Sequence, residues 1–352
     1  MRMLEFYKGK RVFLTGHTGF KGAWLSKILI DQGAEVTGYS LNPSTDPSLF
    51  ELSGLKSKMN SVIGDIRDYE NLYSVFEDSR PEIVFHLAAQ PIVRDSYKDP
   101  LYTYETNVMG TVNVLECCRN AGCVRSALIV TTDKVYLNRE QDVGYVETDM
   151  LDGFDPYSNS KSCAELATHS YKRSFFDGTT VAVSTARAGN VIGGGDFAND
   201  RIIPDCVRAM EKGDTIIVRN PYSIRPYQHV LDPLSAYLLI AERQYEDLEL
   251  ADYYNVGPDD RDCVTTGELA SMFCEYWGDG AKWENVSEIN SPHEASILKL
   301  NCNKIKETLN WTPRWNIDDC IQKTCEFEKR RINGEDVDSL ISEQIKDYFG
   351  EG

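Results

Sequence analysis

Arg11-Val12-Phe13-Leu14-Thr15 runs straight into Gly16-His17-Thr18-Gly19-Phe20-Lys21-Gly22, and the reading of this stretch decides the fold. The first five residues read as a buried strand, and a G-x-x-G-x-x-G pattern follows where that strand would turn into a helix. Gly16 permits a tight turn, Gly19 lets the backbone approach a pyrophosphate, and Gly22 lets helix and strand pack closely. The helix N-terminus offers unpaired N–H groups to the anion. Three glycines alone would also fit a plain turn. Their place after the first strand of an alternating series favours a dinucleotide.

Outward from that turn the alternation continues. Gly19–Gln32 reads as a helix, Glu35–Leu41 as a second strand, Ser61–Gly64 as a third and Tyr69–Asp78 as a helix. Glu82–Ala89 gives a fourth strand, Pro100–Ala121 a long helix, Ser126–Thr132 a fifth strand, Tyr157–Phe176 a helix and Thr180–Ala186 a sixth strand. Near-continuous apolar strands separated by helices predict an α/β, doubly wound parallel sheet of Rossmann type, covered on both faces. After residue 190 the rhythm changes. A short helix near Ile203–Lys212 and a strand Thr215–Val218 precede a helix Pro233–Gln244 and a strand Asp252–Asn255 that return to the sheet. The remainder, with Trp277, Trp283, Trp311 and Trp315, reads as part of a smaller mixed α/β substrate-binding domain. The expected division is 1–190 plus roughly 226–257 for the cofactor, and 191–225 plus roughly 258–352 for the substrate, around a shared cleft.

The whole chain has 352 residues, 37 Lys+Arg against 55 Asp+Glu, and a net charge of −18. Such an acidic balance argues against nucleic acid or an anionic membrane as partner, because polyanions need a positive footprint. No apolar run reaches the roughly 18 residues a membrane span needs, and the N-terminus lacks the features of a cleaved signal. The 10 cysteines show neither C-x-x-C nor a His-partnered spacing, which predicts reduced thiols in a cytoplasmic protein and no metal site.

Two candidate features carry chemistry. Tyr157 and Lys161 lie four apart at the start of a helix, just after Pro156, so they share one face. A lysine ammonium beside a phenol is expected to lower the tyrosine pKa and let it take a proton from a sugar hydroxyl while a hydride leaves. At the end of the fifth strand stands Thr131-Thr132-Asp133-Lys134. Asp133 and Lys134 read either as a second acid–base pair or as a capped turn with a solvated lysine. The second strand ends at Ser40, without the usual ribose-binding carboxylate, and no arginine follows closely for a 2′-phosphate, which favours NAD over NADP. Asp65 could serve the adenosine end instead.

With these residues in view, the chain resembles the extended short-chain dehydrogenase/reductase family, and within it the group of CDP-glucose 4,6-dehydratases. The glycine turn, Ala89-Gln90-Pro91 with Arg94, Thr106-Asn107-Val108-Met109-Gly110-Thr111 and Asp155-Pro156-Tyr157-Ser158-Asn159-Ser160-Lys161 carry the resemblance. So do Ala186-Arg187-Ala188-Gly189-Asn190, the Gly193-Gly194-Gly195-Asp196 that follows, Arg225-Pro226 with Gln228-His229-Val230, and His293-Glu294-Ala295-Ser296. Thr131 precedes Thr132 where Thr-Ser is frequent, and Val135 stands where Cys is common.

The resemblance implies an internal redox cycle on CDP-glucose with NAD as cofactor. Tyr157, assisted by Lys161 and Thr132, removes the 4-hydroxyl proton as the C4 hydride moves to NAD. The 4-keto group acidifies C5, water leaves across C5–C6, and the hydride returns to C6. Asp133 would be the acid for the departing 6-hydroxyl and Lys134 the C5 base, which requires a neutral Lys134 and a protonated Asp133. A neighbouring ammonium works against the latter.

The cofactor set it implies is Gly16, Gly19, Phe20, Lys21 and Gly22 at the turn, Ser40, Asp65 and Ile66 after the second and third strands, and Leu87, Ala88 and Ala89 after the fourth, with Tyr157 and Lys161. The substrate set is Gln90, Arg94, Asn190, Arg201, Arg219 and Arg225, with cytosine read by backbone around Ile217-Val218-Arg219. His293 is expected to be a structural hydrogen-bonder. A homodimer, or a higher homo-oligomer, through the helices Pro100–Ala121 and Tyr157–Phe176 is expected on the same ground. The alternatives are a 4,6-dehydratase or 4-epimerase for another nucleotide sugar, or a non-catalytic NAD-binding protein.

Overall fold

In the computed structural model, which describes residues 2–286 and 296–350, Arg11–Thr15 is strand β1 of a seven-stranded sheet. The others are β2 (Glu35–Ser40), β3 (Asn60–Ile63), β4 (Ile83–His86), β5 (Ser126–Thr132), β6 (Ala182–Ala188) and β7 (Tyr253–Val256). Their order is β7-β6-β5-β4-β1-β2-β3, and every pairing is parallel. The order reverses between β1 and β4, so the crevice that such sheets offer to ligands opens at their carboxyl ends.

Alternation along the strands builds two cores. Val12 and Leu14 of β1, with Leu128 and Val130 of β5, pack against helix α1 (Phe20–Asp31). Phe13, Val84, Ala127 and Ile129 face the other way, onto helices α2 (Tyr69–Ser79) and α3 (Gly110–Asn120). Phe76 of α2 is fully buried against Phe13, with ring centroids 4.7 Å apart; truncating it to alanine would cost ~3–5 kcal/mol.

Several expected boundaries move, each for a physical reason. β4 ends at His86 rather than Ala89: the Leu87 N–H is shared between the Thr15 carbonyl and hydroxyl, and the Ala88 N–H turns to that hydroxyl, each at 3.2 Å. That peeling opens the crevice. β6 runs to Ala188, in a full ladder with β5 from Ser126↔Ala182 to Thr132↔Ala188. The long helix over 100–121 is interrupted by a wide π turn at Glu105–Met109. The helix bearing Tyr157 is α4 (Pro156–Tyr171), begun by Pro156 at its first position and capped by Asp155, whose carboxylate accepts the Ser158 N–H at 3.0 Å.

Beyond β6 lie helices α5 (Ile202–Lys212), α6 (Leu231–Glu246), α7 (Thr266–Trp277), α8 (Ile317–Ile332) and α9 (Val337–Phe349). The four C-terminal tryptophans join one core, and two of them place their N–H groups on serine hydroxyls. Trp283 donates to Ser271 of α7 at 3.0 Å, whereas Trp311 donates to Ser235 of α6 at 2.9 Å. The C-terminal α9 returns to α1, where Asp338 pairs with Lys27 at 3.4 Å. Among the described residues no helix is long and apolar enough to cross a membrane.

Candidate active site

The first wall of the site is backbone. Gly16 adopts φ +78°, and a Cβ there would lie 2.7 Å from Ala88 N, so the turn presses against the chain leaving β4. A Cβ on Gly22 would sit 2.0 Å from the Gly16 carbonyl oxygen, which fixes the close approach of α1 to β1. Gly19 is different. A Cβ there would meet only the Gly16 oxygen, at 3.4 Å, and Gly19 caps α1 with no side chain on the first N–H groups. A cradle of free N–H groups with open space above it fits a dinucleotide pyrophosphate.

The adenosine side is less committed to a ligand. The Ser40 and Thr18 hydroxyls share a 2.8 Å hydrogen bond, and Thr18 also donates to Leu41 O at 2.9 Å. Asp65 is gripped by Arg67, whose NH2 donates to Oδ2 at 2.7 Å, and that hydrogen bond holds the carboxyl below its ordinary range. Ile66 is buried against Gly110, where a Cβ would lie 2.4 Å from its Cδ1.

A cavity of about 570 Å³ opens at the carboxyl ends of the strands. It gathers Thr132, Asp133, Lys134, Tyr157 and Lys161 with Phe20, Lys21, Leu87 and Ala89 of the expected cofactor set. Arg94, Asn190, Arg201, Arg219 and Arg225 of the expected substrate set also line it. Gly16, Gly19, Gly22, Ser40, Asp65, Ile66, Ala88 and Gln90 are not on this wall. Gln90 is committed elsewhere: its Nε2 donates to Thr103 at 3.0 Å and its Oε1 accepts the Ile92 N–H at 2.5 Å, so it braces the loop after β4. His293, Glu294 and Ala295 lie outside the described residues.

β5 delivers the chemistry by alternation: Thr131 points to one side of the sheet and Thr132 to the other. The Thr132 hydroxyl donates to Asp133 Oδ1 at 2.9 Å and is also hydrogen-bonded to the Tyr157 phenol. Asp133 is 1% exposed, and its Oδ2 has no hydrogen-bond partner. Burial pushes its carboxyl upward, against the opposing pull of Lys134, the Thr132 hydroxyl and Arg225. Desolvation thus outweighs the neighbouring lysine, and the net shift of Asp133 is upward.

Tyr157 corrects an expectation. Its phenol is not lowered here but pushed up to about 12, chiefly by burial; Asp133 adds to the rise, while the Thr132 hydrogen bond and the Arg201 guanidinium oppose it. Lys161 is itself buried and lowered to about 8, with Glu165 opposing, and its Nζ donates to Val130 O at 3.1 Å. A cation that acts on the phenol in this structure is Arg201, held by Asp196 at 2.9 Å. Lys21 is lowered to about 7 by burial and by the neighbouring charges of Arg201 and Lys161, with Asp133 opposing.

Other arginines have protein partners. Arg219 pairs with Asp200 at 2.9 Å, and Arg225, 5% exposed, donates to Ile224 O at 2.9 Å. The sequence reading gave no role to Asp196, Asn107 or Glu165. Asn107 ties the loop after β4 to the start of α4, accepting the Gln90 N–H at 2.8 Å and donating to Ser160 at 2.9 Å. Glu165 pairs with Arg187 at 2.9 Å, both side chains fully buried. An arginine inside an apolar strand demands a buried anion nearby, and that signal was present in Ser184-Thr185-Ala186-Arg187-Ala188.

Comparison with known proteins follows the same lines. Residues 13–324 match the family model for GDP-mannose 4,6 dehydratase. A CDP-glucose 4,6-dehydratase of Salmonella typhimurium is 48% identical over 351 residues, covering 98% of each chain. A CDP-paratose 2-epimerase of Salmonella typhi is 26% identical over 89% of this chain and 97% of its own. Among solved structures, a dTDP-glucose 4,6-dehydratase of Bacillus anthracis in complex with NAD superposes with a TM-score of 0.75 at 20% identity, over 94% of this chain and 99% of its own.

Proposed function

The chain belongs to the GDP-mannose 4,6 dehydratase family, and from that premise we propose that it converts CDP-glucose into CDP-4-keto-6-deoxyglucose and water. One observation carries the reading: Asp133 and Lys134 line the same cavity as Tyr157 and Lys161, and Asp133 presents a buried, unpartnered carboxylate oxygen. A 4-epimerase needs no such elimination pair. The 48% identity along almost the whole of a CDP-glucose 4,6-dehydratase supports the choice of sugar nucleotide.

Bound NAD supplies a hydride acceptor that returns its hydride within the same turnover. It would be held by the Gly16–Gly22 turn, Phe20, Lys21, the loop over Leu87, Ala88 and Ala89, and Lys161. Tyr157 takes the 4-hydroxyl proton, with its phenolate favoured by the Arg201 charge. The resulting ketone makes the C5 proton removable. Lys134 takes that proton, and Asp133, whose carboxyl burial shifts toward holding a proton, gives one to the departing 6-oxygen. Arg94, Asn190, Arg219 and Arg225 hold the nucleotide and its phosphates.

The division of labour follows the cleft, with 1–190 and about 226–257 for the cofactor and 191–225 and about 258–352 for the substrate. A homodimer through α3 and α4 is supported by exposed apolar side chains along those helices and the segment before them: Leu101 at 69%, Met109 at 52% and Leu166 at 52%. Ten free thiols suit the cytoplasm. The decisive assay incubates the protein and NAD with CDP-, dTDP-, GDP- and UDP-glucose. Loss of one water and an alkali-induced 4-keto absorbance are expected with CDP-glucose foremost. Turnover confined to another nucleotide, or a 4-epimer without dehydration, would refute the proposal.

A further inference from the structure

Behind the catalytic corner lies a second cluster of buried polar groups that the proposed reaction does not use. At its centre is Glu165, fully buried on α4 and one turn beyond Lys161. The Thr131 hydroxyl donates to its Oε1. Its Oε2 accepts from the Thr185 hydroxyl at 2.8 Å and from Arg187 NH2 at 2.9 Å, and lies 3.3 Å from His169 Nε2. Arg187 is anchored in turn by the Tyr136 hydroxyl at 2.8 Å and the Glu147 carbonyl at 2.9 Å.

These contacts join the three elements that converge on the cavity. Thr131 immediately precedes Thr132, Asp133 and Lys134 on β5; Thr185 and Arg187 lead along β6 to Asn190; Glu165 shares α4 with Tyr157 and Lys161. We infer that Glu165 is a positioning residue: its carboxylate fastens the end of β5, the end of β6 and helix α4 in one arrangement, one turn along that helix from Lys161. A hub of this kind holds reacting groups within the tenths of an ångström that catalysis demands, although Glu165 itself does not line the cavity.

The electrostatics agree. Burial works to raise the Glu165 carboxyl, but the Arg187 guanidinium and hydrogen bonds from His169, Arg187 and Thr131 outweigh it and hold it at about 2. Glu165 is therefore anionic throughout the working range. The titratable and charged groups facing Lys161 are Glu165 and Tyr157 on its own helix, Lys21 on α1 and His86 on β4. Those facing Glu165 are Arg187 on β6, His169 on α4, Tyr136 after β5 and Tyr253 on β7. Glu165 alone raises Lys161 against its desolvation.

The inference rests on the dehydratase reading for its rate measurements but not for its binding measurement. NAD affinity is followed against pH by protein fluorescence, for the wild type and Glu165→Gln. The alkaline loss of affinity should move downward by about one pH unit in the variant, because Lys161 loses its counter-charge. An unmoved midpoint in the folded variant overturns the inference. Since Glu165→Gln leaves Arg187 buried without its anion, Thr131→Val is measured beside it, as it removes one tie and keeps the ion pair. It should lower kcat on CDP-glucose about ten-fold with KM unchanged and the melting temperature lowered by only a few degrees, since one buried acceptor loses its donor, and an unchanged kcat overturns the inference. Wild-type protein that binds NAD but does not dehydrate CDP-glucose would refute the functional reading alone, and the NAD titration would still decide the role of Glu165.

Discussion

Asp133 and Glu165 are both buried carboxyls, reached by consecutive threonines that leave β5 on opposite faces, yet their surroundings drive them apart. On the rear face Glu165 has a guanidinium at 2.9 Å and two hydroxyl donors, and is held at about 2. On the cavity face Asp133 has one hydroxyl donor and a bare oxygen, and burial raises it. Burial alone fixes neither outcome. What decides is direct pairing: both Glu165 oxygens are held by donors, one of them a guanidinium, whereas nearby cations act on Asp133 without a hydrogen bond to its Oδ2.

The largest effect should come from the cavity face. Tyr157→Phe removes the base for C4 oxidation and should lower kcat on CDP-glucose by about 10³-fold or more, with circular dichroism and melting temperature close to wild type. Lys134→Met should still exchange hydride at C4 but fail to wash the C5 proton into D2O, read by NMR of the recovered sugar nucleotide. Normal C5 exchange would remove Lys134 from that step.

Stability sharpens the contrast because the two carboxyls should respond with opposite sign. Glu165→Ala strands Arg187 and should destabilise the protein by ~3–5 kcal/mol. The native Glu165 carboxyl is lowered, so its stabilising contribution is present above its unfolded value near 4.5 and is lost as pH falls from there toward about 2. Asp133 is raised, so its ionisation opposes folding at neutral pH. Asp133→Asn should therefore raise the melting temperature by a few degrees at pH 7 while blocking dehydration. A lowered melting temperature would contradict this account of the cavity face.

How much of this could be read from the chain depended on whether backbone or surroundings set the behaviour. The glycine turn, the parallel sheet and the placement of Tyr157 and Lys161 follow from residue type and spacing, so Arg11–Gly22 and Pro156–Lys161 were legible without coordinates. Protonation was not. Lys161 was expected to lower the Tyr157 phenol, but burial dominates both groups, and a cation that opposes it is Arg201, 44 residues further along the chain. Glu165 was missed because its partners, Thr131, Thr185 and Arg187, converge from separate strands. Gln90 was expected in the substrate set but braces a loop, because Thr103 and the Ile92 N–H occupy both ends of its amide.

The smallest predicted effect separates ligand from scaffold at the glycine turn. Gly19→Ala has room in the protein and should weaken NAD binding about ten-fold without loss of stability, whereas Gly22→Ala should destabilise the fold itself.

The central claim is that one cavity moves a hydride from C4 of a CDP-hexose to C6 while water is lost between them. CDP-glucose deuterated at C4, incubated with the protein and NAD and examined by mass spectrometry and NMR, tests it most directly. The account predicts a 4-keto product lighter by one water, with the deuterium on C6. Deuterium retained at C4 in an undehydrated sugar, or lost to solvent, would contradict it.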